Sequence, residues 1–307
     1  MMAGAPMAGG DGGRAFAGLR VPLLAPALVT IAIFLVIPVG LMAVYSFLTK
    51  DFRGGVIWEF SLAAYDQFFL DRGLFGDDPP TLNWAYLEIF WRSIWQAGLA
   101  TVSCLLIGFP TAFFVATRPD RHKAIWLFLV TIPYWVNLLI RTVSMRFLLR
   151  DTGPLNEFLM AAGAIAEPIP MINTNFAVQV GLFYSYLPFM VLPIYAAVER
   201  YDFSLSEAAA DLYADRWTAL RLVVLPAVAP GVVAGCILVF VPSLGAFLAP
   251  DLLGGAKTFM IGSLVEEQFK GAAGNWPFGA AAAMVLLTMV LIALMIYARA
   301  VREKPHG

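Results

Sequence analysis

Six long stretches of this chain run almost without charge, separated by shorter segments where Lys, Arg, Asp and Glu return. They fall at 21–48, at 93–117, from 124 to a fade among Arg141, Arg146 and Arg150, at 176–198, at 222–249 and at 278–298. A helix needs about 20 mostly apolar residues to cross the hydrocarbon core of a bilayer. No segment alternates apolar and polar residues with the period of a strand. A helix also satisfies its backbone hydrogen bonds within itself, as lipid demands. The pattern therefore predicts an all-α polytopic membrane protein with six transmembrane helices, occupying residues 21–301. The first uncharged run, 21–49, is 29 residues long, well beyond the 7–15 of a signal-peptide core, and is expected to be retained as a span. The Gly/Ala-rich residues 1–20 are expected to form a disordered tail, and 302–307 a second short one.

An even number of spans puts both termini on one side. If that side is the cytoplasm, eleven of the 20 Lys and Arg lie on inner segments, a thin majority under the positive-inside rule. Density favours that orientation more than the count does. Arg118, Arg121 and Lys123 fall within six positions, whereas the outer loop at 50–92 spreads four basic residues over 43.

Composition agrees with a lipid solvent: 60% of residues are hydrophobic, 13% are charged, and mean hydropathy is +0.78. Soluble domains carry about 25% charged residues. A net charge of −1 argues against a nucleic-acid partner, which would want a basic stripe. The chemistry of an enzyme is missing too. The two histidines, His122 and His306, lie in a basic loop and at the tail, and the two cysteines, Cys104 and Cys236, sit in apolar runs without metal-ligand spacing. Gly255-Ala-Lys257-Thr258 looks superficially like a phosphate loop, but Ala256 stands where that motif requires Gly. No catalytic residue, metal site or cofactor is expected, so any energy must come from a partner.

Within the spans, Arg141 is the anomaly. Counted from Ala124 at 1.5 Å per residue, it lies roughly 26 Å along the helix and is expected to snorkel to water at the far interface. Pro188 and Pro193 interrupt the fourth span, and Pro226, Pro230, Pro242 and Pro250 the fifth. Gly231 and Gly235 form a small-xxx-small face suited to close helix contact.

The connection between the fourth and fifth spans, 199–221, is the most informative segment. Ser206 reads as a helix cap, followed by the strong helix formers Glu207-Ala208-Ala209-Ala210. Glu207, Asp211 and Asp215 recur every four residues as an acidic stripe. Glu207-Ala208-Ala209, with Leu225-Pro226 sixteen residues on, resembles the EAA loop of ABC importer permeases. The likeness extends over nearly the whole chain, through PYWVNLLIRT, DTGPLN, YSYLPFMVLPIY, VFVPSLGAFLAPDLLGGAKTFMIG and NWPFGAA, and is greatest to permeases of putrescine/spermidine importers.

This resemblance implies a type I ABC importer permease fold with both termini cytoplasmic. It implies an ATP-binding subunit dimer docked beneath, a second homologous permease completing a heterodimeric pore, and a periplasmic solute-binding protein delivering solute. The coupling surface would comprise Glu207, Ala208, Ala209, Asp211, Tyr213 and Ala214. Tyr213 stands where the family usually has Gly, and Ala246 where many relatives have an acidic residue. With Tyr at 213, the helix from Ser206 is expected to stay right-handed and run on, or bend by a 3₁₀ turn. Its ring would then meet the ATPase groove or the cytoplasmic end of a neighbouring span. For a polycationic solute, the candidate pathway residues on the outer half are Tyr184, Tyr186, Asp251, Glu266, Glu267 and Trp276, carboxylates for charge and aromatics for cation–π contact. Related importers for iron(III), phosphonate or opine solutes share much of the pattern, and a secondary transporter is the alternative from another energetic class.

Overall fold

The computed structural model describes residues 25–51, 55–71, 81–270 and 274–302. The expected tail at 1–20 lies outside the described residues, as do 21–24 of the first span and all of the 302–307 tail except Arg302, which ends the last helix. Five helices are long and apolar enough to cross a membrane: α1 (Ala25–Tyr45), α3 (Trp84–Ala116), α7 (Asn175–Glu199), α9 (Arg216–Leu244) and α11 (beginning at Trp276). A broken pair, α4 (Asp120–Trp135) and α5 (Leu138–Leu148), is bent by 91° and is long and apolar enough for a sixth when counted as one span. Shorter helices fill the connections: α2 (Ala63–Phe69), α6 (Pro154–Ala161), α8 (Ser204–Asp211) and α10 (Ile261–Phe269). Five of the six expected spans are thus single helices, and the third corresponds to the bent pair.

Two details depart from the sequence reading. The outer loop contains short antiparallel ladders, β1 (Leu48–Lys50) with β2 (Val56–Phe60), and β3 (Leu70–Asp71) with β4 (Thr81–Leu82). They lie beyond the ends of α1 and before α3, where the all-helix requirement of lipid no longer applies. The second span begins at Trp84 rather than 93, because Glu88 and Arg92 pair one helical turn apart and hide the helix from a hydropathy count.

The centre is a three-helix core of α3, α7 and α9, closed around Cys104, Ala112, Met190, Ile194, Val228 and Val239. Small residues set its spacing. A Cβ on Gly231 would land on Ala197 Cβ and 2.7 Å from the Pro193 carbonyl oxygen; one on Gly235 would meet Met190 Sδ at 2.9 Å. The small-xxx-small face is thus a contact surface on α7. Helix α1 buries no residue within 32–45, and its apolar side chains point outward as lipid favours.

Candidate functional site

The connection from α7 to α9 is held to the body by a charged and aromatic clamp. Lys123, near the start of α4, pairs with Asp120 at 2.8 Å and with Glu199 at 3.5 Å, and the Tyr195 hydroxyl donates to the same Glu199 at 2.5 Å. Past Glu199, the buried Tyr201 hydroxyl lies 2.7 Å from Ser206 Oγ. Phe203 packs edge-on against Tyr201 and Phe113, seating the connection on α3. Helix α8 begins at Ser204, whose N–H donates to Asp202 Oδ1 at 3.0 Å. The opening signal is therefore Asp202, an Asx turn, and Ser206 sits inside the first turn instead of capping it.

Helix α8 ends after Asp211, and here the expectation of a continuing right-handed helix is overturned. Tyr213 has φ +63°, squarely left-handed. The N–H of Ala214 donates to Ala209 O at 3.0 Å and that of Tyr213 to Ala210 O at 2.9 Å, the paired bonds of a Schellman stop. This geometry satisfies two of the helix's last carbonyls. A non-glycine residue pays roughly 1–2 kcal/mol for the left-handed conformation. The acidic stripe breaks at the same point. Asp215 starts the next helix, accepting from Trp217 N–H at 3.2 Å and from the Thr218 hydroxyl, whose bond holds its carboxyl below the usual range. Glu207, Ala208 and Asp211 face solvent, Ala209 and Ala214 are half-buried, and Tyr213 is 97% exposed. A cavity of about 540 Å³ separates the loop from α3, lined by Phe109, Phe113, Ala210, Ala214 and Leu220 among others.

The outer candidates fall into two groups. Asp251, Glu266 and Glu267 converge on one cavity of about 270 Å³ with Lys270. Lys270 Nζ lies 2.9 Å from Glu266 and 4.0 Å from Asp251. The Glu266 carboxylate holds the Lys270 ammonium above the ordinary lysine range, with desolvation opposing. Glu266 Oε2 is buried and accepts no hydrogen bond among the described residues. The cavity wall is fixed from α3: Ser93 Oγ accepts the Ile261 N–H at 2.8 Å, and Arg92 donates to Lys257 O at 2.6 Å. Tyr184, Tyr186 and Trp276 do not line this cavity. Tyr184 and Tyr186 lie on α7, the latter donating to Pro242 O at 3.3 Å, and Trp276 packs on Phe269.

Arg141 is where sequence counting failed most. The span breaks at Val136–Asn137, so Arg141 turns inward against α7 and is only 6% exposed. Its guanidinium donates to Val136 O at 3.0 Å and Ser185 O at 3.4 Å, while Nε is buried without a partner. The available signal was Asn137, whose side chain caps α5 by accepting from Leu139 N–H at 2.9 Å.

No protein-family model matches the chain. Individual proteins do. The spermidine/putrescine transport system permease protein PotB of Haemophilus influenzae is 38% identical over 267 residues, covering 87% of this chain and 88% of the relative. PotB of Escherichia coli K12 is 38% identical over 272 residues, covering 89% and 94%. The fold matches that of a bacterial ABC transporter involved in import of the acidic polysaccharide alginate, with a TM-score of 0.64 at 17% identity over 93% of this chain and 96% of the other. The molecule is a membrane-spanning permease subunit of an ABC importer, a transport component of the inner membrane, with ATP hydrolysis residing in a separate subunit. Within that class, the chain belongs to the family of the spermidine/putrescine transport system permease PotB.

Proposed function

We propose that this chain forms half of the pore of an ATP-driven polyamine importer, taking up spermidine or putrescine. It pairs with a second, homologous permease, accepts solute from a periplasmic binding protein and receives the ATPase stroke through the Glu207–Ala214 loop. The observation that carries the substrate is the convergence of Asp251, Glu266 and Glu267 on one small cavity, occupied at its edge by the ammonium of Lys270. A polyamine is a chain of such ammoniums, so the pairing of Lys270 with Glu266 supports a polycation as the cavity's occupant. The buried, partnerless Glu266 Oε2 offers a further acceptor. An anion such as a phosphonate would call for basic donors instead.

Uptake into vesicles holding the whole transporter should require ATP, survive collapse of the ion gradient, and saturate with spermidine. A Glu266→Gln variant should raise KM for spermidine about tenfold, the loss expected when one charge-assisted contact is removed, with basal ATP hydrolysis unchanged. Uptake of an anion or metal chelate in preference to polyamine would sink the substrate assignment. Uptake that persists without ATP would point to a secondary transporter.

The same reading places both termini and the 199–221 loop in the cytoplasm, and 50–92 in the periplasm. The support is the basic cluster at 118–123 together with family membership. Reporters fused after Arg302 or inserted at 118–123 should give cytoplasmic signals, and one near Asp77 a periplasmic signal. A periplasmic signal from within 207–215 would overturn this orientation and the coupling role with it.

A further inference from the structure

The tip of the loop after α8 carries a feature that the chain's own stability does not explain. Tyr213 and Asn173 are the two non-glycine residues at positive φ among the described residues. Asparagine tolerates that region through its short polar side chain; tyrosine does not. Strain of this kind persists where something outside the local backbone requires the side chain. The helix-stop bonds use the left-handed backbone but not the ring, and among the described residues no contact calls for it. The Tyr213 ring is 97% exposed, and it is absent from the aromatic cluster of Tyr201, Phe203 and Phe113 that seats the loop. Nor does it fill the cavity behind the loop, although Ala210 and Ala214 on either side line that space. Leu212 beside it is 83% exposed, so two large apolar groups are uncovered by the chain itself at the end of a helix whose exposed face carries Glu207 and Asp211.

We propose that Tyr213 is a knob that selects the ATPase subunit. The left-handed turn projects its ring away from the body into an apolar pocket of ring size on that subunit, whose rim is basic to meet Glu207 and Asp211. This rests on the coupling-loop reading above and goes further. The acidic helix face gives a docking interaction that any basic groove could answer, whereas the ring demands a pocket of matching shape. An aromatic anchor buried at the centre of an otherwise polar contact is where interface energy concentrates. The backbone strain is local, so restoring glycine at 213 should benefit the permease alone and harm only the assembly.

The test uses the full permease pair in nanodiscs, titrated with its own ATPase subunit and with the ATPase of an unrelated importer. Tyr213→Gly should leave thermal stability of the permease pair equal or higher, while weakening its own ATPase roughly 10- to 100-fold and narrowing the preference over the unrelated one. Tyr213→Phe should bind within about threefold of wild type. Wild-type affinity and preference in Tyr213→Gly would overturn the proposal. So would a loss of thermal stability in that variant, which would place the ring in the chain's own packing. Glu207→Ala separates the two ideas. If it impairs ATPase binding while Tyr213→Gly does not, the coupling loop stands and the knob falls; if neither change affects binding, the coupling reading falls as well.

Discussion

Gly231→Leu should prevent α7 and α9 from closing on each other and leave little folded transporter. The alanine variant shows why. At Gly231 an added Cβ meets Ala197 Cβ and the Pro193 carbonyl oxygen at 2.7 Å, and the second of these is backbone that cannot rotate away. Overpacking in a closed core costs typically 1–3 kcal/mol. Replacing glycine by alanine inside a helix returns about 1 kcal/mol of propensity. Gly231→Ala should therefore be destabilised modestly, and leucine, which adds bulk without adding that compensation again, severely. Gly235 provides the control. Its nearest obstacle is Met190 Sδ at 2.9 Å, the end of a flexible side chain, although the Met190 carbonyl at 3.1 Å limits relief. Thermal unfolding in detergent should rank wild type above Gly235→Ala, then Gly231→Ala, then Gly231→Leu. A leucine variant as stable as wild type would show that the helices are not in contact there.

The spans were legible in the sequence because lipid imposes one rule on all of them, and a charge-free run of sufficient length has few other readings. Boundaries were less so. Trp84 to Arg92 is helical but carries a Glu88–Arg92 pair, which a hydropathy count reads as loop. The break at Val136–Asn137 was hidden for the opposite reason: apolar composition continues across it, and Pro133, the obvious breaker, sits inside α4 without ending it. Only the capping capacity of Asn137 marked the turn. In the coupling loop, the motif residues were identifiable, but the shape of the loop was not. Counting every fourth residue from Glu207 to Asp215 assumes one helix, and the stop at Tyr213 uses a conformation that tyrosine rarely adopts. The three carboxylates of the outer cavity were named without any sign that they would converge, because Asp251 and Glu266 meet only through the fold.

Arg141→Met should leave the fold nearly as stable as before and still cut polyamine uptake at least tenfold. Two opposing effects decide the first half. The guanidinium stays charged under all ordinary conditions. It is buried, and its bonds go to two carbonyls, Val136 O and Ser185 O, with no ion pair among the described residues. Removing it forfeits two charge-assisted hydrogen bonds, each worth about 1.5–3 kcal/mol. It also removes a buried, unneutralised cation, whose desolvation costs several kcal/mol. These nearly cancel, so the change in stability should stay within about 2 kcal/mol. What methionine cannot do is hold the carbonyl freed at the break in α4–α5 against α7. That link sets the position of α5, which lies against the segment leading to Asp251, through contacts of Met145 and Leu149 with the Ala249–Leu253 cluster. Arg141→Lys should fall between the two, since an ammonium lacks the planar fork that reaches two carbonyls at once. If Arg141→Met transports normally, the arginine is a tolerated burial and nothing more. If it unfolds, the residue is a structural strut, and the functional role argued here is lost.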